Sequence, residues 1–513
     1  MQKKFLTNLA LLLFLNFLVK PFYIFGIDRT VQNTVGLVDY GFYFTIFNFA
    51  FLFSILLDAG ITNFNNRNIA QHIHLLNKHF SSLVILKFLL TFVYVAVTFI
   101  VALIIGYDGD QLKMLAWVGF NQFLLSFILY LRSNVSGLLM FRTDSFLSVL
   151  DRLLMIMICA ALLWGNLTGG VFKIEWFVYS QTVAYLITAI VAMAIVMKKA
   201  KFQRLNWNWP FFLVILKKSL PFALLALLMS VYNRVDSVFI ERLLKGAEGE
   251  RQSGIYAQAF RLLDALNQFA WLFAVLLLPI YSRMIKMRQE LSKMVRFPYA
   301  LLITSGIIIV TGSFFYRTEI MEWLYPKGEL ESVAGYAEKI SQSAHVYGIL
   351  MFGFLGSATM YIFSTLLTAN GNLKQLNLIA LGGIIVNFSL NIFLIPRMQA
   401  SGAAIASLVT QLFTAGSYLI MAQYFFRFKI DYRFIFTLLF FIALVIGFNF
   451  ISKELSFHWL LNFSIMLIAS LISAFALKLI NIVEIIRLLK EKSSGGQLNG
   501  IIYYLTFQNC LNY

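Results

Sequence analysis

Two stretches of this 513-residue chain place charge inside runs that are otherwise apolar: Tyr232-Asn-Arg234-Val-Asp236-Ser237 and Phe260-Arg261-Leu-Leu-Asp264. In such surroundings an arginine binds phosphate bidentately, and an aspartate can take up a proton or a sodium ion. A charge near the middle of a bilayer costs at least about 2.5–3.5 kcal/mol on insertion scales, so such residues face a bundle interior or a water-filled cavity and mark a path by default. Arg261 and Asp264 are spaced i, i+3 and share a helix face. Arg234 and Asp236 are spaced i, i+2 and diverge. The expected contact across the hairpin is either Arg234 with Asp264 or Asp236 with Arg261, and it serves either as a structural ion pair or as a cavity group exchanged with substrate.

Other charges are embedded as well: Lys20, Asp58, Lys87, Arg132 and the pair Asp151-Arg152. Lys20 precedes Pro21, whose ring and missing N–H kink a helix. It is either a gate cation or a snorkelling group at the outer headgroups. Lys87 and Arg152 lie near inner helix ends, where snorkelling is expected. Arg132 lies deeper and is the best cavity cation of the first half, while Asp58 is expected to cap or pair. Counted together, these cations outnumber Asp58, Asp151, Asp236 and Asp264. That balance suits a multivalent anion such as a pyrophosphate and is the opposite of what an apolar drug cation needs.

The elements that position these residues are transmembrane helices. Hydrophobic residues form 60% of the chain and charged residues 12%, against about 25% charge in soluble domains. Mean hydropathy is +0.80. Apolar runs long enough to cross a hydrocarbon core of about 30 Å recur from end to end. Fourteen spans are expected, near 5–25, 41–63, 80–106, 112–140, 146–168, 174–197, 213–241, 254–282, 297–316, 343–368, 373–396, 402–426, 433–451 and 457–480. The chain is thus an all-α, polytopic, multi-pass membrane protein. Its net charge of +18 gathers in the segments that are cytoplasmic when both termini are inside, densest at 198–218 and 283–296. Positive-inside bias therefore places both termini in the cytoplasm. Those clusters serve topology and lipid contact rather than nucleic acid. The start, Met1-Gln-Lys-Lys followed by an apolar run, imitates a signal peptide but reads as a retained first span.

The basic loop at 198–218 divides the chain. Residues 1–200 form an N-terminal bundle of spans 1–6, 201–212 a cytoplasmic linker, and 213–430 a C-terminal bundle of spans 7–12. Residues 431–490 add spans 13 and 14, and 491–513 form a cytoplasmic tail. A faint repeat links the halves: Gly36-Leu-Val-Asp-Tyr-Gly opens span 2 and Gly254-Ile-Tyr-Ala-Gln-Ala opens span 8. Repeated bundles are the usual build of secondary transporters. The longest outer loop, 317–342, carries five glutamates and is expected to hold a short surface helix.

Several chemistries find no support. Two cysteines, Cys159 and Cys510, cannot form a disulfide framework. His72, His74 and His79 lack ligand-spaced partners for a metal. No phosphate-cradling glycine loop or nucleophile elbow occurs, so an enzyme is not expected and any energy must come from ions, membrane potential or a substrate gradient. Asn387 and Asn391 share a helix face and are expected to hydrogen-bond between helices, and Gly402-Ala-Ala-Ile-Ala406 is a packing face.

Several segments resemble the Wzx-like polysaccharide flippases of the multidrug/oligosaccharidyl-lipid/polysaccharide exporter superfamily. They are Leu57-Asp58-Ala-Gly60-Ile with Asn66-Arg67-Asn-Ile-Ala70, the block from Tyr232 through Arg261-Leu-Leu-Asp264 to Pro279-Ile-Tyr-Ser-Arg283, and Ala369-Asn-Gly371-Asn-Leu-Lys374 with Asn387, Asn391, Pro396 and Ser401-Gly402-Ala-Ala404. The first span departs from the family pattern, since Gly26-Ile-Asp28-Arg29 lacks the usual Arg-x-Leu-Gly turn. The resemblance implies a V-shaped, fourteen-helix, MATE-like fold in the bacterial inner membrane. It implies alternating-access flipping of an undecaprenyl-pyrophosphate-linked oligosaccharide, the repeat unit of an O-antigen, capsule or exopolysaccharide. Arg234, Arg261, Arg132 and Lys20 would then bind the pyrophosphate. Asp236, Asp264 and Asp58 would form cavity ion pairs or couple a proton or sodium, with no other cofactor. The implied partners are the lipid-linked substrate, membrane lipid, and a polysaccharide polymerase with its chain-length machinery. A lipid II flippase and an ion-coupled multidrug exporter of the same superfamily are the alternatives.

Overall fold

The computed structural model describes residues 15–16, 18–62, 65, 69, 75–138, 140–165, 172–199, 209–244, 246–328 and 331–480. His72, His74, the linker residues 201–208 and the tail from 481 lie outside them. The described residues are all-helical, as the apolar runs predict. They fall into two compact units, one running to Gly254 and the other starting at Ile255.

In the first unit a π-helical stretch, Tyr23–Asp28, leads into α1, Arg29–Leu52. A 3-10 turn, Ser54–Leu57, follows. Next come α2 (Leu75–Ile104), α3 (Gly109–Gly137), α4 (Phe141–Trp164), α5 (Ile174–Met197), α6 (Trp209–Arg234) and α7 (Asp236–Leu244). The start of α8 (Gly246–Lys286) completes the unit, and the division between units falls within this helix. The π stretch begins just after Pro21. Helix α3 starts at a capping box: Asp108 accepts from the backbone N–H groups of Asp110 and Gln111, and Gln111 accepts in return from the Asp108 N–H.

The second unit continues with α9 (Ser292–Phe315), α10 (Arg317–Leu324), α11 (Val333–Ala369), α12 (Leu373–Phe426), α13 (Tyr432–Glu454) and α14 (Trp459–Ala476). Helix α10 is the short helix expected in the acidic loop. Ser332 caps α11 by accepting from the Gly335 N–H at 3.0 Å, and Asp431 caps α13 by accepting from the Phe434 N–H at 2.9 Å.

Among the described residues, ten helices are long and apolar enough to cross a membrane, or eleven when the bent pair Leu220–Arg234 and Asp236–Leu244 counts as one span. Fourteen were expected. Part of the difference has a plain cause: the continuous run Leu18–Leu52, broken at Gly36 (φ 83°), takes in parts of the first two expected spans, and α12, broken at Gln399 (φ 52°), takes in the eleventh and twelfth. Large apolar side chains on the outer helix surfaces, such as Phe92, Ile190, Ile420 and Phe436, are exposed. In a membrane helix that surface meets lipid tails.

Glycines set the closest backbone approaches. A Cβ on Gly41 would lie 1.9 Å from the Glu250 carbonyl oxygen, and one on Gly254 would lie 2.2 Å from the Leu37 oxygen. The two glycine-led segments that hint at a repeat therefore pack directly on each other. In the second unit, a Cβ on Gly402 would lie 2.6 Å from the Leu394 backbone, and Ala403, Ala404 and Ala406 are fully buried. The small-residue run is a packing face, as expected.

Candidate functional site

The break in the seventh span separates the two charges that first drew attention. Helices α6 and α7 meet at Val235 with a bend of 47°. Arg234 ends one helix and Asp236 begins the next. Depth counted at a uniform rise per residue therefore does not hold through this stretch. The Arg234 guanidinium lies over the Phe51 ring of α1, 4.9 Å from its centroid, a cation–π contact that orients its plane. Asp236, Ser237 and Tyr232 are buried. Beside the break, Asn48 donates to Ser237 Oγ at 3.0 Å and the Thr45 and Ser253 hydroxyls are 2.6 Å apart. This polar seam adjoins the Gly41–Gly254 contact. Arg261 and Asp264, both half-buried on α8, belong to the second unit, so each expected cross-hairpin pair has one member in each unit.

Lys87 does not snorkel. It is 2% exposed and pairs with Asp58, while donating to the Leu57 carbonyl at 3.1 Å and Ser126 Oγ at 2.9 Å. The 3-10 turn at Ser54–Leu57 is the cause, because it turns a backbone carbonyl toward α2. Asp58 thus pairs, as the sequence allows, and also accepts from the Thr62 hydroxyl.

Arg152 does not snorkel either. Its guanidinium stacks over the Tyr23 ring at 4.8 Å, donates to the Tyr185 hydroxyl at 3.3 Å and lies 3.7 Å from Asp151.

Arg132 is buried, and it has an acid partner that the sequence census omits: its Nε lies 2.9 Å from Asp144 Oδ1, and both side chains are buried. Asp144 was missed because α4 starts at Phe141 rather than near 146, which places the aspartate in the first helical turn. Lys20 lies half-buried just before the π stretch.

A second missed acid is Asp28, the last residue of the π stretch. It is buried, and its carboxylate accepts from Tyr40 at 2.9 Å and from Gln32 at 3.1 Å. The Tyr40 bond crosses the Gly36 break and ties the two parts of α1 together. The signal was present in Gly26-Ile-Asp28-Arg29, but a π turn shifts side-chain phase away from the helical period used to judge faces. At the far end of α7, Glu241 is a third buried acid, accepting from Gln111 at 2.8 Å and ion-paired with Arg242 at 2.6 Å. With Asp28 and Asp144 counted and Lys87, Arg132 and Arg152 ion-paired, the surplus of embedded cations is smaller than the sequence census gives.

In the second unit Asn391 donates to Asn387 Oδ1 at 2.9 Å along the same helix, and both are fully buried. Among the described residues, no group of three His, Cys, Asp or Glu side chains could hold a metal ion.

Three comparisons bear on this arrangement. The fold is similar to that of a lipid II flippase, MurJ, in an inward closed conformation: TM-score 0.68 and 14% identity over 91% of this chain and 98% of that one. It is similar to an inward-facing multidrug resistance MATE transporter of the MOP superfamily, with TM-score 0.61 and 13% identity over 79% and 94% of the two chains. A MOP superfamily transporter from Pyrococcus furiosus, described as having a binding pocket of reversed polarity, gives 0.58 and 13% over 83% and 96%. No curated protein matches the chain in sequence. A family model described as polysaccharide biosynthesis protein matches residues 6–285. That stretch contains the π-helical first span, every ion pair of the first unit and the broken seventh span, and by that match the chain belongs to the polysaccharide biosynthesis protein family.

Proposed function

We propose that this chain flips an undecaprenyl-pyrophosphate-linked oligosaccharide from the cytoplasmic to the outer leaflet of a bacterial inner membrane by alternating access, with both termini cytoplasmic. Family membership and the transporter fold support a carrier of lipid-linked sugar rather than an enzyme. The observation that carries the substrate reading is Arg234. It sits at a break in a membrane helix, its guanidinium is held against Phe51, and it lies beside a seam of hydroxyl and amide groups. A diphosphate headgroup needs such a pre-oriented planar donor, and a broken helix can change its bend during a transport cycle. Arg261 and Lys20 are the other cations proposed to meet the headgroup. Asp28 and Asp236, both buried next to helix breaks, are proposed to take up the coupling proton or sodium ion. A polysaccharide polymerase and its chain-length machinery would use the product.

The test is made in cells whose only copy of the gene carries Arg234→Gln or Arg234→Lys, with membrane levels of the protein quantified. The glutamine variant should accumulate lipid-linked oligosaccharide in the inner leaflet, and lysine should retain part of the transport. Normal export by Arg234→Gln at normal protein level would remove Arg234 from the mechanism. The likeness to a lipid II flippase favours a second reading. Rescue of cells depleted of their own lipid II flippase, without any effect on oligosaccharide export, would establish that reading instead.

A further inference from the structure

The second unit holds an open cleft of about 610 Å³ where α10, the first turns of α11 and the start of the second part of α12 come together. It lies at the end of the unit that carries α10, away from every charge discussed above. Its polar lining comes from Arg317 and Glu322 of α10, Tyr336, Ser341 and His345 of α11, and Ser401 of α12. Among the described residues, neither Arg317 nor Glu322 makes an ion pair, and His345 makes no hydrogen bond.

Arg317 is built into place. Its guanidinium lies over the Phe314 ring, 4.7 Å from the centroid. Its stem crosses α11 at Gly348, where a Cβ would come within 3.1 Å of Arg317 Cδ and 3.6 Å of Nη1. A glycine at that point leaves room for the side chain to lie flat on the helix. Neighbouring surface charges are paired off: Lys339 binds Glu331 at 2.7 Å, and Lys453 binds Glu319. Lys339 also covers part of Tyr336, its Nζ 5.0 Å from the ring centroid. The lining thus brings one guanidinium, one carboxylate and one imidazole around a common space.

From this lining we infer a binding site for an acidic saccharide, a sugar ring bearing one carboxylate. The Arg317 fork matches a carboxylate in plane. Glu322, Ser341 and Ser401 suit ring hydroxyls, and Tyr336 offers an aromatic edge to the apolar side of the ring. A neutral sugar would leave Arg317 unused, and a phosphate, with more charge, would be opposed by Glu322. The volume falls in the range of about 300–1,000 Å³ typical of small-ligand sites. In the orientation proposed above, this end of the unit faces away from the cytoplasm, where a flipped glycan emerges. The site deepens that reading by naming the sugar class, and it rests on the chain handling a glycan.

Purified full-length protein in nanodiscs is titrated with methyl glucuronide and with methyl glucoside, and binding is read by saturation-transfer NMR. The glucuronide should bind at least about tenfold more tightly, as one charge-assisted contact provides. Arg317→Gln should abolish that preference, and Tyr336→Ala should weaken both ligands. Arg296→Gln, which alters an arginine of α9 paired with Asp431, should change neither. Equal binding of the two ligands, a preference that survives Arg317→Gln, or displacement by inorganic phosphate more strongly than by glucuronide would overturn the inference. None of these readouts depends on transport, so failure of flipping with an intact glucuronide preference would count against the transport reading alone.

Discussion

The interiors of the two units are built from different chemistry. Asp28, Lys87, Arg132, Asp144, Asp151, Asp236 and Glu241 are all buried, and all lie in the first unit. The second unit buries no charged side chain among its described residues. Its interior polar groups are amides and hydroxyls, such as Gln258, Asn387, Asn391, Gln411 and Asn449. Ser343 donates to Gln258, and Ser357 to Gln411. Buried ions are strongly coupled to one another and to protons, whereas neutral hydrogen bonds are each worth about 1 kcal/mol and respond to neither pH nor salt. The two units thus differ in what their interiors respond to: buried ions in the first, neutral hydrogen bonds in the second.

The largest expected effect tests the charged unit directly. Arg132→Leu strands Asp144 in the interior and should cost about 3–5 kcal/mol, while Arg132→Leu with Asp144→Leu should recover most of it. Thermal unfolding in detergent reads both, and a single variant as stable as the double one would erase the distinction between the units. Close packing, by contrast, should be common to both units. Gly41→Ala and Gly402→Ala should each cost about 1–3 kcal/mol by overpacking, and a large gap between them would mean that the units differ in more than charge. In the neutral unit, Asn391→Leu should cost only about 0.6 kcal/mol, the average for a hydrogen bond in a membrane interior.

The smallest effect lies at a helix end of the second unit. The Phe434 N–H, and after it Arg296, holds the Asp431 carboxyl below its ordinary value. A lowered value means stability that is present above the unfolded pKa of about 3.9 and lost as pH falls through the folded one. Asp431→Asn should flatten that acid limb slightly and leave neutral-pH stability little changed. An acid limb of the same steepness in the variant would move the second unit's acid response elsewhere.

The apolar runs made the fold class legible, because a bilayer demands helices of nearly fixed length. The pairing of Asp58 was legible too. What failed were judgements that assumed regular helices. Lys87 and Arg152 read as snorkelling because distance from a helix end was the only guide, and the 3-10 turn before Asp58 and the ring of Tyr23 are invisible to that measure. Asp28 was passed over because a π turn displaces it from the helical period, and Asp144 because its helix begins a turn earlier than its hydropathy suggests. The breaks at Gly36 and Gln399 merged spans that hydropathy counts separately. The cleft under α10 brings together residues of three helices, and no sequence window contains them all.

The pairing pattern of the first unit also has a consequence for biosynthesis. A lone charge on an emerging helix resists partition into lipid. Arg132 and Asp144 are separated by only 12 positions, on consecutive helices, and Asp58 precedes Lys87 by 29. Each partner is made within one helical hairpin of the other. The ribosome therefore delivers these charges to the insertion machinery almost as neutral doublets. The second unit buries no charged side chain among its described residues and so has no buried ion pair to deliver in this way.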